Sequence, residues 1–144
     1  MNRIFSCRLG VLLAALLASH AVFAQDAERR SGLRAAFIAA DSGQLTLEQA
    51  QRWSNDRLYP WLQATVLKKQ VATADAARVQ QVLDSIGDQP AGRWLRSFWL
   101  NELARREDWT SFRAAWRDTD DTKLRCANLQ SRLAAGAPDA AWVA

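Results

Sequence analysis

The chain has 144 residues, of which 49% are hydrophobic and 24% are charged, and its formal net charge is +4. This length suits one small domain once a leader is removed. Acidic and basic residues are interspersed along the chain, which argues against the clustered basic face of a nucleic-acid-binding domain, so no nucleic-acid partner is predicted.

Residues 1–24 have the pattern of a secretory signal peptide. Arg3 and Arg8 give a positive start, an apolar run follows, and Val22 and Ala24 stand at −3 and −1 of a cleavage site. The apolar run is shorter than the roughly 20 residues that cross a bilayer. We therefore expect a cleaved leader, a mature chain without a membrane anchor, and a periplasmic location.

The mature chain, residues 25–144, would keep one cysteine and no histidine, because Cys7 and His20 lie in the leader. In an oxidising compartment, the remaining Cys126 is either a buried apolar residue or half of a disulfide whose partner lies elsewhere. We favour the second interpretation. Because the mature chain would have one thiol and no histidine, we predict no metal site in it. The sequence also indicates no cofactor site.

Helical periodicity runs through the mature chain, and no segment alternates like a strand. The first predicted helix ends at residues 41–43, an Asp-Ser-Gly turn, and has one apolar face made of Leu33, Ala36, Phe37 and Ala40. Thr46 and Gln49 form a predicted capping box that starts a second helix, which extends to about Asn55.

The third and fourth helices have clear boundary signals. Pro60 fits the first turn of the third helix, where its missing N–H costs nothing. Thr73 is the predicted N-cap of the fourth helix, with Asp75 in its first turn and Gly87 at its end. The fourth helix has one apolar stripe, made of Ala76, Val79, Val82, Leu83 and Ile86.

The remaining helices are rich in aromatic residues. Pro90 begins the fifth, whose wide apolar face contains Trp94, Leu95, Phe98 and Trp99. Asp108 is placed to cap the sixth, which aligns Trp109, Phe112 and Trp116. The seventh, residues 121–135, is predicted to place Cys126, Leu129 and Leu133 on one face. Residues 139–142 resemble an eighth helix that is cut off in its first turn.

Short helices joined by tight Gly, Pro or Asp turns are typical of helical hairpins that bury their faces against neighbouring hairpins. No strict period is visible, so a regular repeat array is not indicated. The predicted fold is all-α, an irregular helical-hairpin superhelix (α-solenoid).

Three blocks of sequence resemble one enzyme family. They are residues 58–62 (Leu-Tyr-Pro-Trp-Leu), residues 98–109 (Phe98 to Trp109, containing Asn-Glu-Leu-Ala-Arg-Arg-Glu-Asp), and Cys126 followed by Gly136 and residues 141–142. In this order they resemble the N-terminal helical domain of the soluble lytic transglycosylases, periplasmic enzymes that cut the glycan strands of peptidoglycan.

The resemblance implies a periplasmic α-superhelix that carries a lysozyme-like catalytic domain at its far C-terminus. In that family a single glutamate acts first as acid and then as base, which gives an anhydro-sugar without hydrolysis. No segment here matches that domain, so we expect a chain truncated before it and assign no catalytic residue. The implied partners are peptidoglycan glycan strands and the missing catalytic domain.

Candidate site residues each have a structural alternative. Glu102 falls on an apolar helix face, where desolvation would raise the pKa of its carboxyl group, although pairing with Arg105 or Arg106 is favoured. Most tryptophans fit a core, and Trp53 and Trp99 are the candidates for exposure and glycan contact. The run of residues 105–108 fits a solvated helix end.

A second hypothesis comes from a different class of protein. A stand-alone periplasmic helical-repeat module that binds protein partners would have the same helical pattern. The half-formed eighth helix and unpaired Cys126 favour the transglycosylase scaffold, whereas an exposed final hairpin face covered by an oligomer would fit the interaction module.

Overall fold

The computed structural model describes residues 25–136, and the elements in this range are helical. They are α1 (25–41), α2 (Leu47–Ala50), a 3-10 helix (Gln51–Trp53), α3 (Tyr59–Gln70), α4 (Ala76–Ile86), α5 (Pro90–Arg105), α6 (Trp109–Ala115) and α7 (Thr122–Ala134). The range contains no strand, which confirms the all-α prediction. None of its helices is both long and apolar enough to cross a bilayer. The predicted signal peptide and eighth helix lie outside the described residues.

The chain divides into two compact units, Met1–Ile38 and Ala39–Ala144. In the described part of the first unit, Leu33 and Ala36 are buried and Ile38 is exposed. The buried pair belongs to the predicted apolar face of the first helix.

Two of the three predicted side-chain caps are confirmed. The Thr46–Gln49 capping box is present in both directions at the start of α2. Asp108 caps α6 by accepting a hydrogen bond from the Ser111 amide at 3.1 Å. The second helix is shorter than predicted, because α2 changes to the 3-10 helix after Ala50 and that helix ends before Asn55.

The predicted cap of α4 is wrong by two residues. Asp75 is the N-cap, and its carboxylate accepts a hydrogen bond from the Arg78 amide at 3.0 Å. Thr73 instead donates its hydroxyl to the Gln70 carbonyl at 3.3 Å, at the end of α3. A carboxylate is favoured next to the partly positive helix N-terminus, and it is the group found there.

The core forms where α5 packs between the other helices. Trp61 in the first turn of α3 contacts Trp94 near the start of α5, and Arg106 after α5 reaches Val71 after α3. The two helices therefore run in the same direction, and α4 connects them. The largest fully buried side chains include Leu62, Leu83, Leu95, Trp99, Leu103 and Phe112.

A close backbone approach joins α4 to α5. Gly92 is buried in the first turn of α5, and a Cβ atom there would lie 2.2 Å from the Gly87 carbonyl oxygen. Gly87 ends α4 with φ at +65°, a conformation that favours glycine. The two glycines thus set the tight α4–α5 turn.

The buried face of α7 differs from the predicted one. Leu124, Ala127 and Ser131 are buried, whereas Cys126 is exposed and Leu133 is 68% exposed. Two residues along an α-helix correspond to about 200° of rotation, so the predicted stripe lies on the opposite side. Ser131 is accommodated in the core because its hydroxyl donates to the Asn128 carbonyl at 2.8 Å, which hydropathy does not reveal.

Candidate functional site

The last turn of α5 brings one carboxylate and two guanidinium groups together. Glu102 accepts hydrogen bonds from Arg105 Nη2 at 2.6 Å and from Arg106 Nε at 2.7 Å, and its side chain is 10% exposed. Hydrogen bonds from Arg105 and then Arg106 lower the pKa of Glu102 from 4.5 to about 2. The predicted arginine pairing is confirmed. The lowered pKa keeps the carboxylate ionised at neutral pH, so Glu102 is assigned to the arginine pairing and not to proton transfer.

Arg106 also joins two helices. Its Nη2 donates to the Val71 carbonyl at 2.6 Å, and its guanidinium lies over the Trp99 ring, 5.3 Å from the centroid. Arg106 is therefore more than part of a solvated helix end, since its side chain reaches the end of α3. The planar guanidinium can bond Glu102 and Val71 at once, which ties α5 to α3.

The two tryptophans chosen as exposed candidates do not form a surface. Trp99 is 1% exposed, so its predicted exposure is wrong. Its ring lies in the core because α5 packs against several helices at once. Trp53 is partly buried, and its Nε1 has no hydrogen-bond partner among the described residues. The buried Trp99 therefore offers no free ring face for a glycan.

A partly exposed aromatic surface instead lies between α3 and α5. The Trp61 side chain is 37% exposed, and its ring centroid lies 5.7 Å from that of Trp94. Trp94 in turn meets Phe98 edge-on at 5.1 Å, and Lys68 Nζ lies 5.1 Å from the Trp94 centroid. We call these four residues the α3–α5 aromatic surface. The sequence places Trp61 in the first turn of a helix, and this position is the one feature that could have indicated its exposure. The contact with Trp94 depends on how α3 and α5 pack, which the sequence does not show.

This surface has binding chemistry. An exposed indole offers a flat apolar face to the C–H face of a pyranose ring, and Lys68 adds a positive charge beside the rings. Within residues 25–136, no three His, Cys, Asp or Glu side chains come together as a metal site. Cys126 is a free, exposed thiol in that range, and its disulfide to a partner elsewhere stays a prediction.

Comparison with known proteins gives one informative similarity. No protein-family model matches the chain, and no solved structure matches it significantly. Over 86 residues the chain is 31% identical to the soluble lytic murein transglycosylase of Salmonella typhimurium. The matched segment covers 59% of this chain and 13% of that enzyme, so the chain spans a small part of the relative. The similarity connects this helical chain to an enzyme whose name specifies murein as its substrate.

Proposed function

We propose that this chain is a scaffold region of a periplasmic lytic transglycosylase, and that it holds peptidoglycan glycan strands for a catalytic domain outside these 144 residues. The observation that carries the proposal is the similarity over 86 residues to a murein transglycosylase. The all-α architecture supports it, because the family resemblance implies a helical domain. Glu102 is an ionised partner of two arginines, which supports a binding role without chemistry.

The α3–α5 aromatic surface is the proposed glycan contact. Trp61 presents an exposed indole, and Trp94 fixes its position from the side. A sugar stacked on this ring buries apolar area on both partners, which favours binding by about 25 cal/mol per Å² of apolar surface. Lys68 lies beside the rings and can attract the carboxylates of the polymer.

Cosedimentation with purified peptidoglycan sacculi tests the binding role. The unmodified chain is expected to pellet with sacculi, and Trp61→Ala is expected to lower its affinity roughly fivefold or more, as loss of a central aromatic contact typically does. Trp61→Phe keeps a ring and should retain most binding. Leu133→Ala removes a more exposed apolar side chain on α7 and serves as the control. Equal binding of Trp61→Ala and Leu133→Ala would contradict the proposed surface.

A product assay tests the enzyme assignment separately. The 144-residue chain should release no anhydro-muropeptides from sacculi. The same chain extended through the downstream reading frame should release them. Activity of the short chain would overturn the scaffold role, and inactivity of the extended chain would remove the link to a transglycosylase.

The exposed face of α7 favours the alternative function, a periplasmic helical module that binds protein partners. A groove of about 410 Å³ there is lined in part by Trp116, Cys126 and Leu129, with Leu133 exposed on the same helix. Failure of the unmodified chain to bind sacculi would favour this alternative.

A further inference from the structure

A cavity of about 310 Å³ lies beside the N-terminal half of α5, away from the aromatic surface. Its charged wall contains three arginines and two aspartates, which are Arg93, Arg96, Arg117, Asp88 and Asp118. Leu100 and Leu124 supply apolar wall. We call this site the arginine cavity.

Arg96 is the central group of the arginine cavity. Its side chain is 10% exposed, and its one hydrogen bond within residues 25–136 runs from Nη1 to Asp88 Oδ1 at 3.3 Å. The Asp88 side chain is 81% exposed, so water weakens its attraction for the guanidinium. A guanidinium has five N–H donors, and one long bond leaves most of them without an acceptor among the described residues, while they remain in contact with solvent.

The other charged groups leave an excess of positive charge. Arg93 Nη1 donates to the Asp88 carbonyl, and Arg117 Nη1 donates to the Trp116 carbonyl at 2.7 Å. These bonds to neutral carbonyls hold the two arginines in place without neutralising them. Asp118 accepts a hydrogen bond from the Thr119 amide at 3.1 Å. Three guanidiniums thus face two carboxylates across the cavity.

We propose that the arginine cavity binds the terminal carboxylate of a short peptide. The planar guanidinium matches a carboxylate in two parallel hydrogen bonds, which satisfies donors that Asp88 does not. Leu100 and Leu124 provide apolar contacts for a small side chain next to that carboxylate. The volume lies at the lower end of the range for small-ligand sites. This proposal rests on the cavity alone and not on the proposed function.

Isothermal titration of the full chain tests this site with three soluble probes: N-acetyl-alanyl-alanine, its C-terminal amide, and inorganic phosphate. The acid should bind at least roughly tenfold more tightly than the amide, because the amide lacks the charge that pairs with Arg96. Phosphate should bind more weakly than the acid. Equal binding of acid and amide, tighter binding of phosphate, or no binding of the acid would each overturn the proposal.

Variants locate the binding. Arg96→Met should weaken binding of the acid roughly tenfold or more, and the exposed Arg117→Gln should weaken it severalfold without removing a buried group. Arg57→Gln is the matched control, since Arg57 is an exposed arginine outside the cavity. Unchanged binding by Arg117→Gln and by a folded Arg96→Met would overturn the assignment. Because the probes are soluble, this result is independent of sacculus binding by Trp61.

Discussion

The two ends of α5 use arginine in opposite ways. At the C-terminal end, Arg105 and Arg106 both bond Glu102, a carboxylate that is itself largely buried. In the N-terminal half, the buried Arg96 has one hydrogen bond within residues 25–136, to Asp88, whose side chain lies in solvent. The shielded carboxylate holds both guanidinium groups, and Arg106 ties α5 to α3. An exposed carboxylate competes with water, so the arginine beside it keeps donors for a ligand.

The largest expected effect comes from disturbing the turn on which the N-terminal arginines depend. Gly92→Ala places a Cβ atom 2.2 Å from the Gly87 carbonyl oxygen, so α5 must move away from α4. We expect a loss of about 3 kcal/mol in the free energy of unfolding, measured by urea denaturation, and loss of peptide binding in the arginine cavity.

Gly136→Ala is the control for this substitution. Its added Cβ meets no atom of the described residues within 4 Å, and the φ of +71° opposes it. The expected cost is about 1 kcal/mol. Equal losses for the two variants would contradict the steric argument for the α4–α5 turn.

Breaking the C-terminal tie should have a smaller effect. Glu102→Gln removes the charge that pairs with Arg105 and Arg106. We expect a loss of about 1 kcal/mol at neutral pH, because Arg105 remains solvated and screening limits the value of the pair. Chemical denaturation measures this loss, and peptide binding in the arginine cavity should be unchanged. A stability equal to that of the unmodified chain would show that the tie contributes nothing.

The pairing of Glu102 with Arg105 and Arg106 also predicts that the free energy of unfolding depends on pH. This effect should be no larger than the effect of Glu102→Gln at neutral pH. The pKa of Glu102 is lowered from 4.5 to about 2 by the two arginines. Its contribution is therefore fully present above the unfolded-state pKa and is lost as the pH falls toward 2. The stability difference between the unmodified chain and Glu102→Gln should shrink across this window. A difference that stays constant from neutral pH to pH 2 would contradict the assignment.

The smallest expected effect on stability comes from Arg96→Met. Replacing a buried, poorly paired charge by an apolar side chain of similar length removes a desolvation cost, so stability should stay within about 0.5 kcal/mol or rise. Thermal and urea unfolding measure this, while peptide affinity should fall. A loss as large as that of Glu102→Gln would show that Arg96 is a structural tie as well, and the contrast between the two ends of α5 would fail.

Local chemistry explains which predictions are confirmed. The Thr46–Gln49 capping box and the Asp108 cap act over three residues, so their sequence spacing already determines the bond. The same holds for the pairing of Glu102 with Arg105 and Arg106 one helical turn away. The α4 cap was misplaced because Thr73 and Asp75 are both competent caps, and only the helix start distinguishes them.

The candidate surfaces depended on contacts between distant residues. In the sequence, Trp61 and Trp94 lie at the same helical spacing as residues that form the core, so spacing does not distinguish them. Trp99 lies nearer the edge of the apolar face of its helix, and that position is what suggested exposure. Which ring is exposed depends on which helices pack around α5. The arginine cavity had no sequence signal, since its arginines look like ordinary solvated side chains until α5 and the α6–α7 connection come together.

The sequence by itself determined the all-α class, most helix limits and the resemblance to the lytic transglycosylases. Hydrophobic periodicity, helix caps and turn residues each depend on a few neighbouring positions, so they can be recognised from the sequence alone. Only the tertiary structure decided that Trp99 is buried, that Trp61 is exposed and that the carboxylate beside Arg96 is the solvent-exposed Asp88. Burial and electrostatic shielding are properties of the space around a residue, and residues far away in sequence fill that space.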